Sequence, residues 1–220
     1  MAGMLITMEG VEGSGKSTQI ARLSERMQDL GVPVAVSKEP GGTVLGRELR
    51  SLLLEPHPSG ETWAPQAELL LFYADRAQHV ARFIRPMLEA GRVVLLDRFE
   101  DSTRAYQGAQ GVPEAALDRL AQVVLDGLRP SLTVVLDLDP EASLVRVAAR
   151  NAADPQFRET RFDGEVLAFH RAVRARFLAI AEREPRRVAV VPAQAPPDQV
   201  AAAIWARVAP LLAAAGHRVA

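Results

Sequence analysis

Near the amino terminus, Gly10-Val11-Glu12-Gly13-Ser14-Gly15-Lys16-Ser17 fits the spacing G-x-x-x-x-G-K-[ST], with Thr18 directly after it. Glycines at those positions let backbone amides turn inward around a phosphate. The lysine reaches the terminal phosphates of a nucleoside triphosphate, and the serine hydroxyl can hold Mg²⁺. A second acidic position stands further on, where Asp97 closes the apolar run Val93-Val-Leu-Leu96. A carboxylate at that edge either orients the metal's water shell beside Ser17 or caps the helix that follows. Arg98, next to it, is a candidate clamp for a second phosphate group. These residues spell phosphate chemistry.

Such groups need strands to bring them to one edge. Leu5-Ile-Thr-Met8 is a short apolar run entering the glycine loop, and Val32 to Val36, Val93 to Leu96, Leu132 to Leu136 and Val188 to Val191 are further runs bounded by turn residues. Between them the apolar spacing is helical over 17–30, 45–54, 65–88, 113–128, 140–150, 165–184 and 197–214. Continuous apolar strands alternating with amphipathic helices predict an α/β fold, a parallel sheet covered on both faces. Asn151 to Gly164 breaks the pattern: it is polar, contains Pro155 and has no clean period. An irregular insert of that length reads as a disordered loop or an active-site lid.

Composition narrows the class. The chain has 220 residues, 48% apolar and 24% charged, with 26 basic and 27 acidic side chains and a net charge of −1. That balance argues against coating nucleic acid or an anionic membrane. Without cysteine there is no disulfide scaffold, thiolate metal site or thiol catalysis. The start lacks a signal pattern and no stretch approaches the roughly 20 apolar residues that span a bilayer, so the expectation is a soluble cytoplasmic protein. Only Lys16 and Lys38 among the basic residues are lysines. Both sit in motifs where a compact ammonium is hard to replace with a planar fork.

Three further clusters follow the glycine loop in order: Glu39-Pro40-Gly-Gly-Thr43, Phe72-Tyr-Ala-Asp75-Arg76-Ala-Gln-His79, and Asp97-Arg98-Phe99-Glu-Asp-Ser102-Thr103-Arg-Ala-Tyr106-Gln107-Gly108. Together they resemble thymidylate kinase, the family that phosphorylates dTMP with ATP, from about Met4 to the final helix. The resemblance implies the P-loop NTPase fold, with a five-stranded parallel sheet, the P-loop strand placed centrally, and a lid at about 150–164 on a single domain over 1–220. It also implies a homodimer formed through long helices, and ATP, dTMP and Mg²⁺ as ligands. Residues 10–18 with Arg146 and Arg150 would bind ATP, and Ser17 and Asp97 would manage Mg²⁺. The dTMP pocket would comprise Glu12, Glu39, Pro40, Phe72, Arg76, Arg98, Ser102, Thr103, Tyr106 and Gln107. Phe72 would stack on thymine, although read by itself it is equally a core residue beside Leu69-Leu-Leu71. Arg76 would reach the base, Arg98 the dTMP phosphate, Tyr106 the deoxyribose, and Glu12 the sugar hydroxyl and metal water.

Catalysis would rest on Lys16, Glu12, Asp97, Arg98 and an arginine. The resemblance allows that arginine in the P-loop or in the lid, and residues 11–14 contain none. Arg146, Arg150, Arg158 and Arg161 lie in or beside the lid, so the lid-supplied arrangement fits. Arg146-x-x-x-Arg150 puts two on one helix face, which favours Arg150; the alternative is a solvated arginine-rich face. Two departures stand out: Pro192 where the family usually has Asp, near the adenine, and Phe99 after Asp97-Arg98. A different nucleotide kinase would not need Phe72, Arg76 and Tyr106 so arranged, and a nucleotide-dependent switch would need a hydrolytic glutamine or a guanine-reading N-K-x-D motif, of which the latter is absent.

Overall fold

The computed structural model describes residues 3–153, 162 and 166–219. Its five strands are β1 (Met4–Glu9), β2 (Val34–Lys38), β3 (Val93–Asp97), β4 (Leu132–Asp137) and β5 (Val188–Pro192). They form one parallel sheet in the order β2-β3-β1-β4-β5. The apolar runs are continuous because both faces are covered. Alternate side chains feed two cores: Ile6, Met8 and Leu95 on one side, Leu5, Val94 and Leu96 on the other.

The first core is closed by Ile20, Leu23 and Met27 of α1 (Lys16–Asp29), Val173, Phe177 and Ile180 of α8 (Leu167–Arg183), and Ile204 and Val208 of α9 (Pro197–Ala214). The second is closed by Leu69 and Tyr73 of α3 (Pro65–His79) and Leu117 and Leu125 of α6 (Glu114–Leu125). Helix α2 (Val44–Leu54), α4 (Arg85–Glu89), α5 (Glu100–Ala109) and α7 (Pro140–Ala153) complete the described elements.

β1 lies between β3 and β4, so the chain leaves its carboxyl end at the point where strand order reverses, the usual ligand crevice of open α/β sheets. Register brings Asp97 opposite both Met8 and Lys38. The glycine loop, Lys38-Glu39 and Asp97-Arg98 therefore emerge side by side.

Several expected boundaries move, among them the end of the helix expected over 113–128, which stops at Leu125. The helix expected over 65–88 is interrupted by a π-helical turn, Val80–Ile84, in which Arg85 N–H bonds the Val80 carbonyl. Pro86 supplies no N–H and its ring crowds the carbonyl four residues back, so the helix takes in one extra residue there. The second strand starts at Val34, after Pro33, rather than at Val32.

Candidate active site

The loop of residues 10–15 turns on glycines with positive φ, Gly10 at 135°, Gly13 at 68° and Gly15 at 93°. At Gly10 a Cβ would lie 2.5 Å from the Leu136 carbonyl oxygen, and at Gly13 one would lie 2.9 Å from that of Ser143. Neither position admits a side chain. Helix α1 follows with Gly15 at its cap and no side chain bonding the first-turn amides, which leaves those N–H groups to an anion. Lys16 Nζ donates to the carbonyls of Gly10 (3.1 Å) and Val11 (2.9 Å). Burial, reinforced by the Arg98 charge and opposed by Asp97, Glu12 and Glu9, lowers its pKa from 10.5 to about 8. The adjoining Ser17 hydroxyl donates to Asp97 Oδ2 at 2.9 Å. Helix α5 begins at Glu100 with Phe99 at its cap and no side-chain cap bond, so Asp97 faces Ser17 and leaves the helix uncapped.

Arg98 adopts a left-handed backbone, φ 71°, rare for a residue with a Cβ. What holds it there is Glu9, wholly buried at the end of β1, whose carboxyl accepts the Phe99 N–H (2.8 Å) and the Ser102 hydroxyl (2.5 Å). The guanidinium then donates to Gly10 O (3.0 Å), Ser102 Oγ (3.1 Å) and Glu12 Oε1 (2.8 Å), and lies 5.0 Å from the Tyr106 ring centroid. Tyr106 Oη lies 2.7 Å from both Glu12 carboxylate oxygens. Burial disfavours the Glu12 charge, but Arg98 and Lys16 outweigh it and hold the carboxyl below its ordinary range. A single linked cluster thus joins the glycine loop to α5.

Beyond Arg98 the cavity runs on to Glu39, Pro40, Phe72, Arg76, Thr103, Tyr106 and Gln107. Phe72 packs partly buried against the first core and also lines the cavity. Arg76 is buried and well occupied, donating to Glu39 (2.8 Å), Glu100 (3.2 Å), Phe99 O (3.0 Å) and Thr103 Oγ1 (2.9 Å). Glu39 in turn receives Arg76 on one oxygen and lies 2.9 Å from His79 Nδ1 on the other. The Gln107 amide donates to Glu68 at 2.7 Å. Asp75 receives the Gly41 N–H (3.1 Å), and burial, then the Glu39 charge, raises its pKa to about 6.

Arg146 and Arg150 both line the cavity from α7, one turn apart. Arg146 donates to the carbonyls of Ala193 (3.1 Å) and Gly13 (3.5 Å), while Arg150 bonds the side-chain carbonyl of Asn151. Arg158, Arg161 and most of the expected lid lie outside the described residues. Gly10, Val11 and Ser14 stand behind the cavity wall rather than on it.

Sequence reasoning missed Arg50, whose one signal was its place on the helix after the Glu39–Thr43 loop. It lines the cavity, donates to Pro40 O at 2.9 Å, and is lowered in pKa by burial and by Arg98. Glu9 was missed too, because only burial distinguishes it from any strand-end carboxylate. The cavity holds about 530 Å³. Seven of its lining side chains are cationic (Lys16, Lys38, Arg50, Arg76, Arg98, Arg146, Arg150) against four carboxylates. In a chain of net charge −1, that concentration makes the cavity an anion site.

Residues 8–204 match the family described as Thymidylate kinase. The chain belongs to the thymidylate kinase family. Among curated relatives, the thymidylate kinase of Solidesulfovibrio magneticus is 49% identical over 95% of this chain and 100% of its own. That of Desulfovibrio desulfuricans is 49% identical over 90% and 91%. The crystal structure of thymidylate kinase from Ehrlichia chaffeensis superposes with a TM-score of 0.75 at 30% identity, covering 94% of this chain and 99% of that one. The five-stranded parallel sheet with its P-loop at the β1 edge is the P-loop NTPase fold.

Proposed function

We propose that this enzyme transfers the γ-phosphoryl group of ATP to dTMP, giving ADP and dTDP for DNA precursor synthesis. The observation that carries the reading is the continuous cationic cavity. Its wall carries the P-loop with the Ser17–Asp97 pair, the Arg98 guanidinium, and the aromatic side chains of Phe72 and Tyr106. An oxygen of the dTMP phosphate attacks the γ-phosphorus in line, and the bond to the β,γ-bridging oxygen breaks as ADP leaves. Arg98 and Arg50, two cations on one stretch of wall, hold the acceptor phosphate between them. Lys16 and Arg150 offset the negative charge that builds on the transferring group.

The donor set fits Mg²⁺. Ser17 and Asp97 offer hard oxygens within 2.9 Å of each other, and the described residues contain no three-residue metal cluster. An ion that keeps most of its waters and leans on phosphates needs no more. When bound, it neutralises phosphate charge; Ser17 and Asp97 hold and orient it. Phe72 gives thymine a stacking face, Thr103 and Gln107 meet its edge, and Tyr106 stands against the sugar. The whole chain acts as one kinase domain whose lid spans about 150–164. Among the described residues no helix is long and apolar enough to cross a membrane. Leu70 on α3 and Val123 on α6, 56% and 78% exposed, support pairing of two copies through these helices.

ADP release measured with a panel of monophosphates tests this. The expected order of kcat/KM is dTMP, dUMP, UMP, with AMP and GMP at background. One methyl in an apolar pocket is worth about 1–3 kcal/mol, so dUMP is slow rather than excluded. Phe72→Ala weakens all three pyrimidines together. Preference for AMP or CMP overturns the assignment to dTMP while leaving phosphoryl transfer standing.

A further inference from the structure

His170 sits on α8 with no exposed surface, and neither ring nitrogen has a hydrogen-bond partner among the described residues. A neutral imidazole carries one N–H and one acceptor nitrogen, and buried polar groups of this kind are normally matched. Glu12 offers the match: His170 Nδ1 lies 3.9 Å from Glu12 Oε2, less than an ångström beyond hydrogen-bond range. The ring is held edge-on by Phe169, centroids 5.8 Å apart and planes at 74°.

The other partners of Glu12 show why this oxygen is available. Arg98 donates to Oε1 at 2.8 Å. Tyr106 Oη is equidistant from both oxygens, but one hydroxyl proton serves one of them at a time. Oε2 therefore has lone-pair capacity in hand, and it is the oxygen facing His170. The Arg98–Glu12 pair meanwhile occupies part of the guanidinium that the proposed reaction assigns to the acceptor phosphate.

We propose that His170 is a positioning residue for Glu12: its Nδ1–H holds Oε2, so that Arg98 can turn from Oε1 to the acceptor phosphate without the carboxylate following it. This rests on the dTMP kinase reading for the role of Arg98, but the His170–Glu12 contact is independent of it. Helix α8 thereby fixes one wall of the acceptor pocket directly from the P-loop side. Nothing in the local sequence around His170 signals this, since the partner is 158 positions away (170 − 12).

The test is a cycle on the full chain: His170→Leu and His170→Asn, each alone and combined with Glu12→Gln, with kcat and KM measured for dTMP and for ATP. Asn places an amide N–H close to where Nδ1 stands. His170→Leu is expected to lower kcat/KM for dTMP about tenfold with the KM for ATP within about twofold, and His170→Asn to recover most of the loss. In the Glu12→Gln background the Leu substitution is expected to change kcat/KM by less than about twofold. Equal losses in both backgrounds, an Asn variant as poor as Leu, or no loss at all would overturn the proposal. Should the Leu variant fail to fold, ring-nitrogen NMR on the wild-type chain decides: an Nδ1-protonated ring whose resonance moves on Glu12→Gln supports the contact, and an Nε2-protonated ring indifferent to Glu12 refutes it. A wild-type chain that does not turn over dTMP would count against the kinase reading alone, because the NMR result stands without it.

Discussion

Glu9 gives the sharpest test of how the site is held. Its carboxyl is wholly buried between β1 and the turn into α5. Burial, then the nearby Asp101 charge, raises its pKa from 4.5 to about 8, against the Ser102 and Phe99 hydrogen bonds and the Arg98 charge. Below pH 4.5 the folded and unfolded chains both carry the proton, so Glu9 adds no pH dependence. Between pH 4.5 and about 8 the unfolded chain releases the proton while the folded chain keeps it, so stability falls as pH rises; above about 8 the loss is complete. The slope approaches 1.4 kcal/mol per pH unit, which makes the loss from pH 6 to pH 8 about 2 kcal/mol. For a chain of this size that corresponds to roughly 4–8 °C in Tm. Glu9→Gln keeps the shape without the ionisation: its carbonyl accepts the Phe99 N–H and its amide donates to Ser102 Oγ. Thermal or urea unfolding at pH 6 and pH 8, at fixed ionic strength, should show the variant with the Glu9 slope removed. Parallel pH profiles for the two proteins, within about 0.5 kcal/mol, would refute the reasoning, since Glu9 would then be ionised in the fold at a cost its hydrogen bonds fully offset.

Asp97→Asn should raise the Mg²⁺ concentration for half-maximal rate and lower kcat, because an amide holds metal-bound water more weakly than a carboxylate; an unchanged magnesium titration would remove Asp97 from the metal site. Arg150→Ala should lower kcat by about tenfold or more while leaving the KM for dTMP nearly unchanged, since its charge matters chiefly as the phosphoryl group transfers. A rise in KM for ATP at constant kcat would instead make Arg150 a ground-state contact.

The sheet, the glycine loop and most helix spans were legible in the sequence because each rests on a local signal: an apolar run, a period, a stop residue, a fixed spacing. The Pro65 to Leu88 helix shows the limit of that logic, since the periodicity continues through Val80–Ile84 while Pro86 forces a π turn that no period records. The identity of the cavity wall was legible where motif residues carried it, as with Lys16, Ser17, Asp97 and Arg98.

What only the tertiary structure decided is which charges meet. Asp97 as a helix cap or a partner of Ser17 was undecidable from spacing, because the two residues are brought together by the parallel pairing of β3 with β1, from which the glycine loop leads into α1. Phe72 as core or cavity residue was undecidable too, and the fold packs it partly against the first core while leaving it on the cavity wall. The resemblance sends Arg76 toward the base and gives it no carboxylate partner, yet Glu39, from a strand end, and Glu100, from a different helix, hold it on two sides. Glu9 and His170 look like an ordinary strand-end acid and an ordinary helix histidine until burial removes the water that would otherwise satisfy them. Sequence patterns report periodicity and nearest-neighbour chemistry; desolvation and pairing depend on chain segments tens to more than a hundred positions apart. The physics of a buried charge belongs to all the segments around it, so it becomes readable only once they are packed.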